Sequence, residues 1–155
     1  MLPLRLELKN FLPYMSPDPV RFEGIHLACL VGPNGAGKSS LLDAITWALW
    51  GGGRAKRDED LIFVGQQDMY VQLDFEQEGQ IYRVIRKRER RGRSGVGSLD
   101  LLVKDADDQF VVISEPNMRA TQEKIDRLLR LDYETFCNSA FLQQGKADAF
   151  TTKTP

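Results

Sequence analysis

Gly32-Pro33-Asn34-Gly35-Ala36-Gly37-Lys38-Ser39 is the stretch on which the reading of this chain turns. It matches the pattern G-x-x-x-x-G-K-[ST], and each residue type in it answers a physical need. Glycines let the backbone take positive φ and approach an anion with no Cβ in the way. Successive N–H groups then point inward and form an anion nest. A helix starting at Lys38 adds its unpaired N-terminal N–H groups and the positive end of its dipole. Lys38 supplies a mobile cation for β- and γ-phosphates, and the Ser39 hydroxyl suits Mg²⁺. A chance match in a chain of this length is expected on the order of a hundredth of a time.

The flanks have the composition that such a loop requires. Ile25–Val31 is nearly continuous apolar sequence, which predicts a strand covered on both faces. Lys38–Trp50 carries Leu41, Leu42, Ile45, Ala48 and Leu49 at helical spacing, and Gly51-Gly52-Gly53 ends that helix. Further out, Leu2, Leu4, Leu6 and Leu8 alternate with polar residues, the period of a half-buried strand. Phe11–Pro19, with Pro13, Pro17 and Pro19, reads as loop, and Val20–Phe22 as a short strand.

Past the charged connector Arg54–Asp60, strands are expected at Met69–Phe75, Gln80–Arg86, Ser98–Lys104 and Gln109–Ile113, an antiparallel meander. Pro116 suits the first turn of a helix whose buried stripe is Met118, Ile125, Leu128 and Leu129. Asp132–Asn138 reads as a further short helix, Ser139–Gln143 as a strand, and Thr151–Pro155 as a fraying end.

Composition sets bounds on function. The chain has 155 residues, 42% hydrophobic and 28% charged, which suits one globular domain. Its net charge is −1, so any nucleic-acid contact must come from local clustering. Cys29 and Cys137 have no metal or disulfide spacing and read as buried thiols of a reducing compartment. The N-terminus lacks the pattern of a signal peptide, and no apolar run approaches the roughly 18 residues of a membrane span. A cytoplasmic protein with no membrane contact is expected.

Three segments in order carry a family resemblance: Leu8-Lys9-Asn10-Phe11, then Gly32 through Ile45, then Phe141-Leu142-Gln143-Gln144-Gly145-Lys146-Ala147-Asp148-Ala149-Phe150. Together they resemble the N-terminal half of the ATPase head in SbcC-type DNA double-strand-break repair proteins, members of the SMC-like ABC ATPases. The resemblance implies an α/β fold, the N-terminal lobe of a P-loop NTPase of ABC/SMC head type. That lobe has a mixed sheet, an antiparallel β-meander and flanking helices. It would occupy residues 1–150, with 151–155 lying where a coiled coil would begin.

The resemblance also implies roles. ATP and Mg²⁺ would be held by Asn34, Gly35, Ala36, Gly37, Lys38, Ser39 and Ser40. Ser39 and Gln144 would face the metal, and Lys38 and Gln144 would act in catalysis, Gln144 as the Q-loop glutamine. Without the family, Gln144 reads equally well as a surface turn residue. Ile62, Phe63 and Val64 stand where the family passes its chain beside the nucleoside, although a plain core strand end fits them as well. The basic residue that the family often places after Asn-Phe is here Leu12, so that role is not carried over.

A Walker B strand ending in Asp-Glu and a serine-glycine signature are not found in these residues. The resemblance implies that a C-terminal lobe of the same protein completes the sheet. A second head in a homodimer would supply the signature across two nucleotides, and an SbcD-type nuclease would be the working partner on double-stranded DNA. Phosphoryl transfer depends on positioning and charge stabilisation, so the lobe alone is expected to turn over ATP poorly. An SMC chromosome-structuring head and a transporter nucleotide-binding domain are the alternative readings.

Arg86-Lys87-Arg88-Glu89-Arg90-Arg91-Gly92-Arg93 is almost wholly cationic and is expected at an exposed hairpin end. Arg88, Arg90, Arg91 and Arg93 are candidate DNA-backbone contacts there, against the plain reading of a solvated loop. His26 is the sole histidine and reads as structural. Trp47 and Trp50 read as core or lobe-contact residues.

Overall fold

The computed structural model describes residues 1–52, 55, 57–91 and 94–139. The expected strand over Ser139–Gln143, apart from Ser139 itself, and the fraying end therefore lie outside the described residues.

One six-stranded sheet organises the chain, in the order β2-β1-β3-β4-β5-β6. Its strands are β1 Leu2–Lys9, β2 Val20–Arg21, β3 Asp68–Gln77, β4 Gln80–Arg91, β5 Ser94–Lys104 and β6 Phe110–Val112. Every pairing among them is antiparallel. The expected meander is β3–β4–β5–β6, built from neighbours in sequence. Its first turn is the two-residue loop Glu78-Gly79, with φ of 54° and 79° and Gln77 paired to Gln80. Positive φ at both central residues matches the right-handed twist of the flanking strands.

Period-two alternation sorts the sheet into two faces. Leu6, Leu8, Val71, Leu73, Val84, Leu99 and Leu101 are buried on one of them. Helices α1 Lys38–Trp50 and α2 Met118–Leu129 supply Ala44, Trp47, Ala48, Ile125 and Leu129 to the same core. The other face is polar and cross-linked. Arg83 forks onto Asp74 at 2.6 and 2.7 Å and lies 3.8 Å over the Phe110 ring, and the Tyr70 hydroxyl donates to Glu7 at 2.5 Å.

Several expectations are corrected. Ile25–Val31 is not a strand: it lies outside regular structure, with Leu27 and Val31 93% and 89% exposed. A strand covered on both faces needs pairing neighbours, and none of the six described strands bonds to it. His26 and Cys29 share this exposed stretch, so the histidine sits on no strand and this thiol is not buried. The buried face of α1 is also rotated from the expected stripe. It centres on Ala44, Trp47 and Ala48, while Leu42 is exposed, because the Trp47 indole wedges against Phe11 at 5.8 Å between ring centres.

On α2, Met118 is exposed and Thr121 is buried beside Ile125 and Leu129. Pro116 falls before that helix rather than in its first turn. Asn117 is the cap, accepting from the Ala120 N–H at 2.9 Å, which satisfies a donor that proline cannot serve. The expected short helix is α3 Tyr133–Ser139, and Asp132 accepts from the Thr135 N–H at its start. Trp50 lies against it, 4.8 Å from the Phe136 ring, with its indole N–H donating to the Leu131 carbonyl. Among the described residues no helix is long and apolar enough to cross a membrane.

Candidate functional site

The glycine loop runs directly into α1, as the motif requires. Gly37 is the cap residue, at φ 92°, and its carbonyl accepts from the N–H groups of Ser40 at 2.9 Å and Leu41 at 3.3 Å. Glycine is demanded here twice over. The left-handed φ disfavours any side chain. A Cβ would also lie 2.8 Å from Pro13 Cγ and 2.9 Å from the Tyr14 hydroxyl. The Ala36 N–H closes a turn onto the Pro33 carbonyl at 3.2 Å. Lys38 is half-buried and folds back over the loop, its Nζ donating to the carbonyls of Gly32 and Pro33, both at 2.7 Å.

A cleft of about 450 Å³ opens over this loop, lined by Leu12, Pro13, Asn34, Gly35, Gly37, Lys38, Ser39 and Ser40. Six of the residues expected to hold nucleotide thus converge, and Ala36 belongs to the same loop. The fit to a polyphosphate with a divalent cation rests on the donor set. The lining brings together glycine backbone, the Lys38 side chain and the hydroxyl-bearing Ser39 and Ser40, and a Cβ placed at Gly35 would meet nothing within 4 Å. A larger hollow of about 570 Å³ lies at the ends of β3, β4 and β5. Its Lys87 and Arg88 are offset by Asp68 and Glu89, so it has no excess of positive charge for phosphate.

The remaining expected residues are distributed differently. Ile62 is buried and bridges to Phe11, the Phe63 N–H donates to the Asn10 carbonyl at 2.8 Å, and Val64 is exposed. None of the three lines the cleft; Ile62 and Phe63 brace the turn that does. Gln144 and Arg93 lie outside the described residues. Pro13 and Tyr14 were legible only as loop. A proline-containing segment adjoining Asn10-Phe11 carries no sequence mark of contact with residues more than twenty positions away.

The basic run does end at the β4–β5 hairpin, where Arg91 pairs with Ser94, but it is corrected in part: β4 continues through Arg91, so alternate residues of the run point to opposite faces. Arg86 is buried, donating to the carbonyls of Ala48 at 3.1 Å and Leu49 at 3.5 Å and to Gln122 at 2.5 Å. Burial pulls its pKa down to about 10, so it stays charged at neutral pH.

Arg88 is engaged by Glu59, whose carboxyl is held below its usual range by that hydrogen bond. Gly95 makes the room for this pair: a Cβ there would collide with both side chains. Arg90 donates to the Glu59 carbonyl at 2.6 Å. These three arginines therefore bind the Asp58–Leu61 turn and the end of α1. Lys87 and Arg91 project on the opposite face and are exposed.

The sequence profile of the AAA domain family matches residues 5–155. A Thermoplasma volcanium protein named DNA double-strand break repair Rad50 ATPase is 36% identical over 97% of this chain. A Deinococcus radiodurans protein, named as the SbcC component of the nuclease SbcCD, is 37% identical over 94% of it. In both cases the chain spans 16% of the relative's length. A solved structure from work on ATP-driven dimerization and DNA-stimulated activation of SMC ATPases superposes with a TM-score of 0.64. It covers 100% of this chain and 93% of that one at 23% identity, which is a likeness of fold.

Proposed function

The chain belongs to the AAA domain family, and from that premise we propose that it is the ATP-binding N-terminal lobe of a DNA double-strand-break repair ATPase of the Rad50/SbcC kind. The observation that carries this reading is the cleft lined together by Asn34, Gly35, Gly37, Lys38, Ser39 and Ser40. The loop amides, apart from that of Ala36 which closes the turn onto Pro33, would receive the polyphosphate. Lys38 exchanges its two carbonyl partners for the β- and γ-phosphates, and the Ser39 hydroxyl and Gln144 ligate Mg²⁺. Mg²⁺ held there would offset the charge that develops in transfer. Ile62–Val64 lie outside the cleft lining, and we keep them as nucleoside neighbours only through the family resemblance.

The relatives' names support the repair and nuclease setting, and the partners we propose go further. They are a C-terminal lobe of the same protein, a second head across two nucleotides, an SbcD-type nuclease and double-stranded DNA, in the cytoplasm. Binding belongs to this lobe, whereas turnover needs the general base and the signature supplied by the others.

The test is a melting curve with Mg²⁺ and a non-hydrolysable ATP analogue. At one hundred times the dissociation constant the ligand adds about 2.7 kcal/mol. The expected result is a rise of several degrees that EDTA reverses. No shift and no heat in calorimetry would remove the reading.

The exposed Arg90 and Arg91 remain the proposed contacts to DNA backbone, and Arg88 is the weaker candidate because it is half-buried and its charge is paired with the Glu59 carboxylate. In the full-length ATPase, Arg90→Gln with Arg91→Gln is expected to lower the slope of log affinity against log salt by about 2. Arg88→Gln is expected to leave that slope in place. Equal slopes for the parent and the double variant would remove this patch.

A further inference from the structure

We propose that Tyr14 is a positioning residue for the phosphate loop, acting through the Gly37 carbonyl; the inference rests on the phosphate-binding reading above. Tyr14 belongs to a tight turn at the end of β1. The Asn10 N–H donates to the Met15 carbonyl at 2.8 Å, and Phe11 and Tyr14 exchange N–H to carbonyl bonds at 2.8 and 2.9 Å. Asn10 and Leu12 both take left-handed φ, 52° and 50°. For a leucine that conformation costs about 1–2 kcal/mol, so the surroundings must hold it. They do so from two sides. Phe11 is fully buried against Trp47, and the turn is bonded to Leu61 and Phe63 through the Leu12 N–H at 2.7 Å and the Asn10 carbonyl at 2.8 Å.

From this braced turn Tyr14 reaches the loop, its hydroxyl donating to the Gly37 carbonyl at 3.1 Å. That carbonyl is the first acceptor of α1, so its direction sets the peptide plane where the nest passes into the helix. Pro13 and the Tyr14 ring also fill the space that a Cβ on Gly37 would need. Burial raises the Tyr14 hydroxyl above its ordinary 10, so it remains a protonated donor across the working pH range. The turn is thus a strut between the hydrophobic core and the loop. Tyr14 touches the loop backbone rather than facing the cleft, whose wall on this side is Leu12 and Pro13.

Tyr14→Phe removes the hydroxyl and keeps the ring. In the 155-residue chain it is expected to weaken Mg-ATP binding about three- to tenfold, and Mg-GTP by the same factor. The melting temperature without nucleotide is expected to stay within about 2 °C of the parent. Affinities are read by calorimetry well below the melting point of each variant, with Lys38→Ala alongside. Binding unchanged within about twofold, with Lys38→Ala impaired, overturns this inference and leaves the phosphate loop standing. A loss confined to ATP makes Tyr14 a base contact and overturns it too. A parent chain that binds neither nucleotide removes both readings together.

Discussion

Arg86→Met should lower the stability of the chain by about 2–4 kcal/mol, a fall in melting temperature of about 5–15 °C. Arg86 is 5% exposed and stands over the last turn of α1. The orphan carbonyls of that turn find their partners there: Gly51 N–H serves Trp47, and Arg86 serves Ala48 and Leu49. Gln122 of α2 completes the cluster, donating to the Leu49 carbonyl at 2.8 Å and accepting from Arg86. A cation at a helix C-terminus also opposes the negative end of the dipole.

Replacing a buried charge with an apolar side chain can be neutral when both partners go. Here the partners are main-chain carbonyls, which no substitution removes, so they remain buried with fewer donors. Arg86→Lys keeps the charge but not the fork and should fall between the two. Thermal denaturation followed by circular dichroism at neutral pH checks the order. Melting of the methionine variant within about 2 °C of the parent would show that the carbonyls find other partners.

Lys38→Ala should weaken Mg-ATP binding by roughly 10- to 100-fold, the worth of one or two charge-assisted hydrogen bonds to phosphate. Lys38 is half-buried, and its ammonium makes exposed bonds only to loop carbonyls among the described residues. Its removal should therefore change the nucleotide-free melting temperature little, as is usual for an exposed pair. This contrast with Arg86 is the useful one: one cation serves the ligand and the other serves the fold. Calorimetric titration of parent and variant with the same analogue gives the ratio directly. A ratio below about 3 would mean that the amides alone hold the phosphates, against the usual worth of a charge-assisted bond.

The difference between these two cations marks the limit of what can be read from the residues in order. The glycine loop, the helix after it and the meander were legible because each is decided locally. Turn-forming glycines, a period of two and a period near four residues act over a few positions, whatever the rest of the chain does. The family resemblance was legible for the same reason, since its motifs are short and contiguous.

What failed to read correctly depended on partners distant in sequence. A run of cations counts as solvated in any hydropathy sum. Whether Arg86 and Arg88 are buried or half-buried depends on α1 carbonyls and on Glu59 lying under alternate residues of β4. An apolar segment such as Ile25–Val31 can promise a strand, but pairing is a property of two segments, and none of the described strands lies beside it. Tyr14 was invisible because its meaning lies in one bond to Gly37, across a turn whose strained residues only the packed core holds in place. The sequence by itself therefore determined the glycine loop, the helix after it and hence the phosphate site proposed there; the tertiary structure alone decided which side chains hold that loop in shape, because the donors and acceptors concerned meet only once the sheet and helices have packed.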